Sequence, residues 1–129
     1  MKGAQMSTPA RRVRGLGAAR SGTKHFWHQR VTSVAAVPLT IALVIIVIAL
    51  LGRSHAAAVQ ILGSPIVAII MLLFIINTAY HMWIGMQEII IDYVHEDKLK
   101  LASLMANTFF CFAVGFASAF AILKLSFGV

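Results

Sequence analysis

Asn77, His81, Glu88 and Asp92 stand in a stretch otherwise dominated by Ile, Leu, Met and Phe. An amide, an imidazole and two carboxyls offer metal ligation, proton transfer or hydrogen bonding to a polar ligand. Ionisable groups in hydrocarbon are costly, so they face a protein interior and carry a function. On a helix turning about 100° per residue, with His81 at zero, Asn77 falls at about −40° and Glu88 at about −20°. Asp92 then lies at about +20° and Gly85 at about +40°. The five positions share a stripe about 80° wide. Such a stripe faces a partner helix, a cofactor or a water-filled path, and not lipid.

A neutral imidazole at His81 can ligate haem iron through one ring nitrogen. Gly85, one turn on, then omits the side chain that would collide with a flat macrocycle. The alternative is a histidine hydrogen-bonded to a neighbouring helix, with Gly85 serving close packing. His81 lies eleven residues before Asp92, about 16 Å of helical rise, which puts it near the middle of a bilayer. No other histidine reaches that depth, so a bis-histidine site takes its second ligand from another chain. Glu88 and Asp92 either relay protons from the cytoplasmic side or pair with basic residues of a partner. Tyr93 points roughly 120° from His81, at the helix end, where its hydroxyl donates to a buried carbonyl or anchors at the interface. His25 and His28 have H-x-x-H spacing without an accompanying carboxylate or cysteine, so no metal site is expected there. His55 is expected on the outer side, and His95, Glu96 and Asp97 in a solvated loop.

Three apolar runs must position these groups. Of 129 residues 60% are hydrophobic and 12% charged, too few charges to clothe a soluble domain. Residues 31–51 and 101–123 contain no charge, and 66–91 contain only Glu88. Each reaches the roughly 20 residues that cross a bilayer core about 30 Å thick. The expected fold is all-α and integral to the membrane, with three transmembrane helices forming part of a heteromeric bundle. Of the eleven Lys and Arg residues, seven precede the first run. An N-terminus in the cytoplasm leaves nine basic residues inside and two (Arg53 and Lys124) outside, the positive-inside pattern. This placement explains the net charge of +7 without nucleic acid. The first run exceeds the roughly 7–15 apolar residues of a signal peptide, so it is read as retained.

Residues 1–20 are expected to form a flexible basic tail, and residues 21–129 the membrane anchor domain. In segment 21–30, Phe26 and Trp27 suit an interfacial belt, while Lys24 and Arg30 suit headgroups or an anionic ligand. Pro38 is placed early in the first span, residues 52–65 form a short outward loop, and residues 92–100 form a compact cytoplasmic loop. Cys111, Gly115 and Ala119 recur every four residues, a stripe that admits a close helix. Cys111 has no partner for an internal disulfide and is expected to be a small buried residue.

The run His81-Met82-Trp83-Ile84-Gly85-Met86-Gln87-Glu88-Ile89-Ile90-Ile91-Asp92-Tyr93-Val94 resembles the signature of the hydrophobic membrane anchor subunit of succinate dehydrogenase, respiratory complex II. There a His is followed by Gly four later and Asp-Tyr eleven and twelve later. The segment Ser21-Gly22-Thr23-Lys24-His25-Phe26-Trp27-His28-Gln29-Arg30-Val31-Thr32-Ser33 is similar to that subunit's lead into its first helix. The resemblance covers residues 21–129. It implies that His81 is one axial ligand of a haem b shared with a cytochrome b556-type second membrane subunit. It implies that Arg30 lies near the haem propionates, and that Tyr93 hydrogen-bonds ubiquinone beside Asp92. It also implies an iron–sulfur subunit and a flavoprotein subunit as partners, in a bacterial inner membrane, passing electrons from succinate to quinone. Glu88 departs from the pattern by placing an acid where only some polar residue is expected. From the residues alone, two other readings stand: a small proton-coupled transporter using Glu88 and Asp92, and a haem-free structural anchor.

Overall fold

The computed structural model describes residues 20–128. Apart from Arg20, the tail expected over residues 1–20 lies outside them. Four helices follow in order: α1 (Arg20–Leu50), α2 (His55–Gly63), α3 (Pro65–Tyr93) and α4 (Asp97–Phe127). Three are long and apolar enough to span a membrane, over Thr23–Leu50, Pro65–Tyr93 and Asp97–Phe127. The chain is therefore an all-α integral membrane protein.

Each long helix outruns its apolar core. α1 starts eleven residues before Val31 because the interfacial segment 21–30 continues the helix instead of leading into it. Pro38 consequently sits deep in α1 and not near its start. It lacks the N–H that would bond the Val34 carbonyl. α1 ends at Leu50, and the chain turns at Gly52, whose φ of 71° suits a residue without Cβ. Residues 52–65, expected as a loop, are largely the helix α2. Its run of small and aliphatic residues favours helix, and the Ser54 hydroxyl caps it by accepting from the Ala57 N–H at 3.3 Å. Pro65 then opens α3 at its first turn, where a missing N–H costs nothing. The turn between α3 and α4 is three residues long.

α3 is the shared helix, packed most extensively on α4 and then on α1. The chain encloses little of its own. Among the described residues the buried apolar ones are Ile46, Ala68, Ile84, Ile90, Cys111 and Ile122. Ile45, Phe109, Phe116 and many like them are more than half exposed, as suits surfaces that meet acyl chains or other helices. α2 packs against the far end of α4 so closely that a Cβ on Gly63 would stand 2.8 Å from the Leu125 carbonyl oxygen.

Candidate functional site

Four of the five stripe positions of α3 face α1: Asn77, His81, Gly85 and Glu88. Asn77 Nδ2 donates to the Thr32 carbonyl at 3.1 Å, and His81 Nδ1 lies 2.8 Å from Thr32 Oγ1. One turn on, the position a Gly85 Cβ would occupy is 3.6 Å from Gln29 Nε2. At the rim, Glu88 Oε1 stands 3.9 Å from His25 Nδ1. His25, Gln29 and Thr32 recur every three or four residues on α1, so one of its faces meets one face of α3.

The tautomer of His81 follows from the proton count. Thr32 is buried, and its single hydroxyl hydrogen must serve the short contact to the His28 carbonyl at 2.8 Å, shared with Gln29 O at 3.1 Å. Two oxygens that close need a hydrogen between them. With the threonine proton committed there, Oγ1 meets the imidazole as an acceptor. His81 therefore donates Nδ1–H, and its Nε2 carries the free lone pair. A ligating histidine takes this form, its second nitrogen fixed by a hydrogen-bond acceptor. A Cβ added at Gly85 would meet only the Gln29 amide within 4 Å, so packing among the described residues does not require a glycine there. The Gln29 Oε1 is buried without a hydrogen-bond partner.

Arg30, Asp92 and Tyr93 do not join this cluster. Arg30 leaves α1 about 200° round the axis from Thr32, and its guanidinium lies 5.0 Å from the Phe26 ring centre. Asp92 and Tyr93 are exposed, Tyr93 to 77%. Among the described residues neither makes a side-chain hydrogen bond.

The opposite side of α3 binds α4. Trp83 Nε1 donates to Thr108 Oγ1 at 3.1 Å, Asn107 Nδ2 donates to the Trp83 carbonyl at 3.1 Å, and Cys111 Sγ donates to Asn107 Oδ1 at 3.4 Å. Beside this network runs an apolar groove of about 490 Å³ whose lining includes Ala79, Cys111, Gly115 and Ala119. His28, the second member of the H-x-x-H pair, lies 2.9 Å through Nδ1 from the Tyr80 hydroxyl. Among the described residues, no three His, Cys, Asp or Glu side chains gather to hold a metal ion.

Thr32 and Gln29 are the site residues that sequence reasoning missed. A signal existed, since Asn77 and His81 lie one turn apart and need a polar partner on a facing helix. Thr32 and Ser33 are the first hydroxyls of the first apolar run.

Residues 4–115 match the family described as succinate dehydrogenase/fumarate reductase transmembrane subunit. A succinate dehydrogenase hydrophobic membrane anchor subunit from Paracoccus denitrificans is 32% identical over 121 residues, covering 94% of this chain and 93% of that protein. One from Rickettsia bellii (strain RML369-C) is 29% identical over 99 residues, covering 77% and 79%. No solved structure matches the chain.

Proposed function

Because the chain belongs to the succinate dehydrogenase/fumarate reductase transmembrane subunit family, we propose that it is the hydrophobic membrane anchor of a succinate:ubiquinone oxidoreductase that supplies one axial ligand to haem b. The observation that carries this reading is the Thr32–His81 contact, 2.8 Å long, which ties up Nδ1 and leaves Nε2 with a lone pair at the depth of the bilayer centre. The absence of a Cβ at Gly85, without an intrachain packing reason, supports it. Bound there, haem b supplies a one-electron redox centre within the membrane. The second ligand comes from a cytochrome b-type membrane subunit, since among the described residues His81 has no ligating companion. The complex sits in a bacterial inner membrane with this chain's N-terminus in the cytoplasm.

The remaining roles concern surfaces that this chain leaves exposed. Tyr93 donates its phenolic hydrogen to a ubiquinone carbonyl, and Asp92 beside it shapes the same pocket, which other subunits complete. For Arg30 the support is the resemblance of its segment, together with a guanidinium suited to the haem propionates. Iron–sulfur and flavoprotein subunits deliver electrons from succinate. A haem-free anchor would use the Thr32–His81 bond for packing alone, and a proton-coupled transporter would act without partners.

The test is a reduced-minus-oxidised spectrum of the whole purified complex carrying His81→Ala or His81→Tyr. Loss of the bis-histidine b-type signal is expected. An unchanged signal would remove the ligand assignment, and a wild-type complex free of haem would leave only the structural anchor. In the same preparation Tyr93→Phe should lower quinone reduction while dye reduction by the peripheral subunits persists. Parallel loss of both would point to faulty assembly and overturn the role of Tyr93.

A further inference from the structure

We infer that Thr32 is a positioning residue for the haem site: its hydroxyl fixes the tautomer and ring orientation of His81 and, through that bond, tunes the redox centre. The inference rests on the haem reading above and adds a residue on a different helix. Thr32 binds α3 twice, its carbonyl accepting from Asn77 at 3.1 Å and its Oγ1 accepting from His81 at 2.8 Å. The hydroxyl does not rotate freely, because its own hydrogen points back to the His28 and Gln29 carbonyls of the preceding turn. Thr32 is 7% exposed, so water does not substitute for Oγ1 without disturbing the seam. Two consequences follow from the chemistry. The imidazole is held in the one neutral form that presents Nε2, and no energy is spent selecting it when the ligand bond forms. Accepting the Nδ1 hydrogen also leaves the ring more electron-donating, which favours ferric over ferrous iron.

The bond comes from a neutral hydroxyl, so the electronic effect is milder than that of a carboxylate in the same place. Ser33, the adjacent hydroxyl, cannot take over, because its Oγ donates to the Gln29 carbonyl at 2.7 Å and it lies about 100° further round the helix.

The experiment uses the whole complex with Thr32→Val, Thr32→Ala and Thr32→Ser, each normalised to covalent flavin, with His81→Tyr as control. Losing the hydroxyl should weaken haem retention about 10–100-fold, the usual cost of removing such a support. The haem that remains should have a more positive midpoint potential, and Thr32→Ser should restore both. Wild-type haem retention and potential in the Val and Ala complexes would overturn the inference. Equal losses in the Ser complex would overturn it too, because the hydroxyl would then be irrelevant. If Val alone fails to assemble, the Ala variant, which adds no bulk, makes the same comparison with Ser. The underlying reading fails separately, if His81→Tyr keeps the bis-histidine spectrum.

Discussion

The two seams of α3 are both polar, yet they leave different things unfinished. On the α4 side the named partners satisfy one another: the Trp83 indole meets Thr108, Asn107 meets the Trp83 carbonyl, and Cys111 meets Asn107. Small residues let the backbones approach, and nothing with chemistry is left over. On the α1 side Asn77 and His81 are held just as firmly, but among the described residues the second imidazole nitrogen makes no hydrogen bond and the Gln29 amide oxygen is buried without a partner. Polar residues in a membrane interface are therefore poor evidence for a site by themselves. The informative feature is a polar atom left free after its helix partner has been counted.

This difference is broken most severely by bulk. A Cβ on Gly115 would already stand 3.4 Å from the Ala79 Cβ, so Gly115→Leu should force α3 and α4 apart. Overpacking of this kind costs about 1–3 kcal/mol and should appear as a lower yield and thermal midpoint of the assembled complex. A Cβ on Gly85 would meet only the end of the flexible Gln29 side chain, which can move aside, so in Gly85→Leu assembly should hold while haem per flavin falls. If Gly85→Leu lowers assembly as much as Gly115→Leu does, Gly85 is a packing glycine and the contrast between the seams is lost.

Hydropathy makes the three spans legible, because a bilayer demands about 20 apolar residues whatever their detailed packing. The stripe on α3 is legible for a related reason, since helical periodicity converts spacing into direction. What escaped has physical causes too. The sequence of α2 has no charge and only nine residues, too short for a span and hard to tell from an apolar loop without its contact to α4. Pro38 was misplaced because hydropathy marks where hydrocarbon begins and not where the helix begins. Thr32 was hidden by its own versatility. A threonine in an apolar helix can satisfy itself on the preceding turn, so nothing in the sequence says that it also receives a histidine from 49 residues away. Arg30, Asp92 and Tyr93 stand out in the sequence, yet among the described residues they share no partner, and sequence spacing alone does not show that.

The smallest expected effect lies at the rim of the α1 seam nearest the start of α1, where Glu88 and His25 approach to 3.9 Å with side chains 54% and 43% exposed. Water competes for both groups there, and an ion pair so exposed contributes between about 0 and 1 kcal/mol. Glu88→Gln keeps the shape and removes the charge, so it should shift the unfolding free energy of the complex by less than about 1 kcal/mol and leave haem per flavin unchanged. The variant nonetheless separates fastening from chemistry on the same face. A loss of haem as large as that of Gly85→Leu would extend the site to the rim and make Glu88 one of its members. A normal haem content with slowed quinone reduction would instead assign Glu88 to proton delivery. Wild-type behaviour in both would end the functional part of the seam at Gly85.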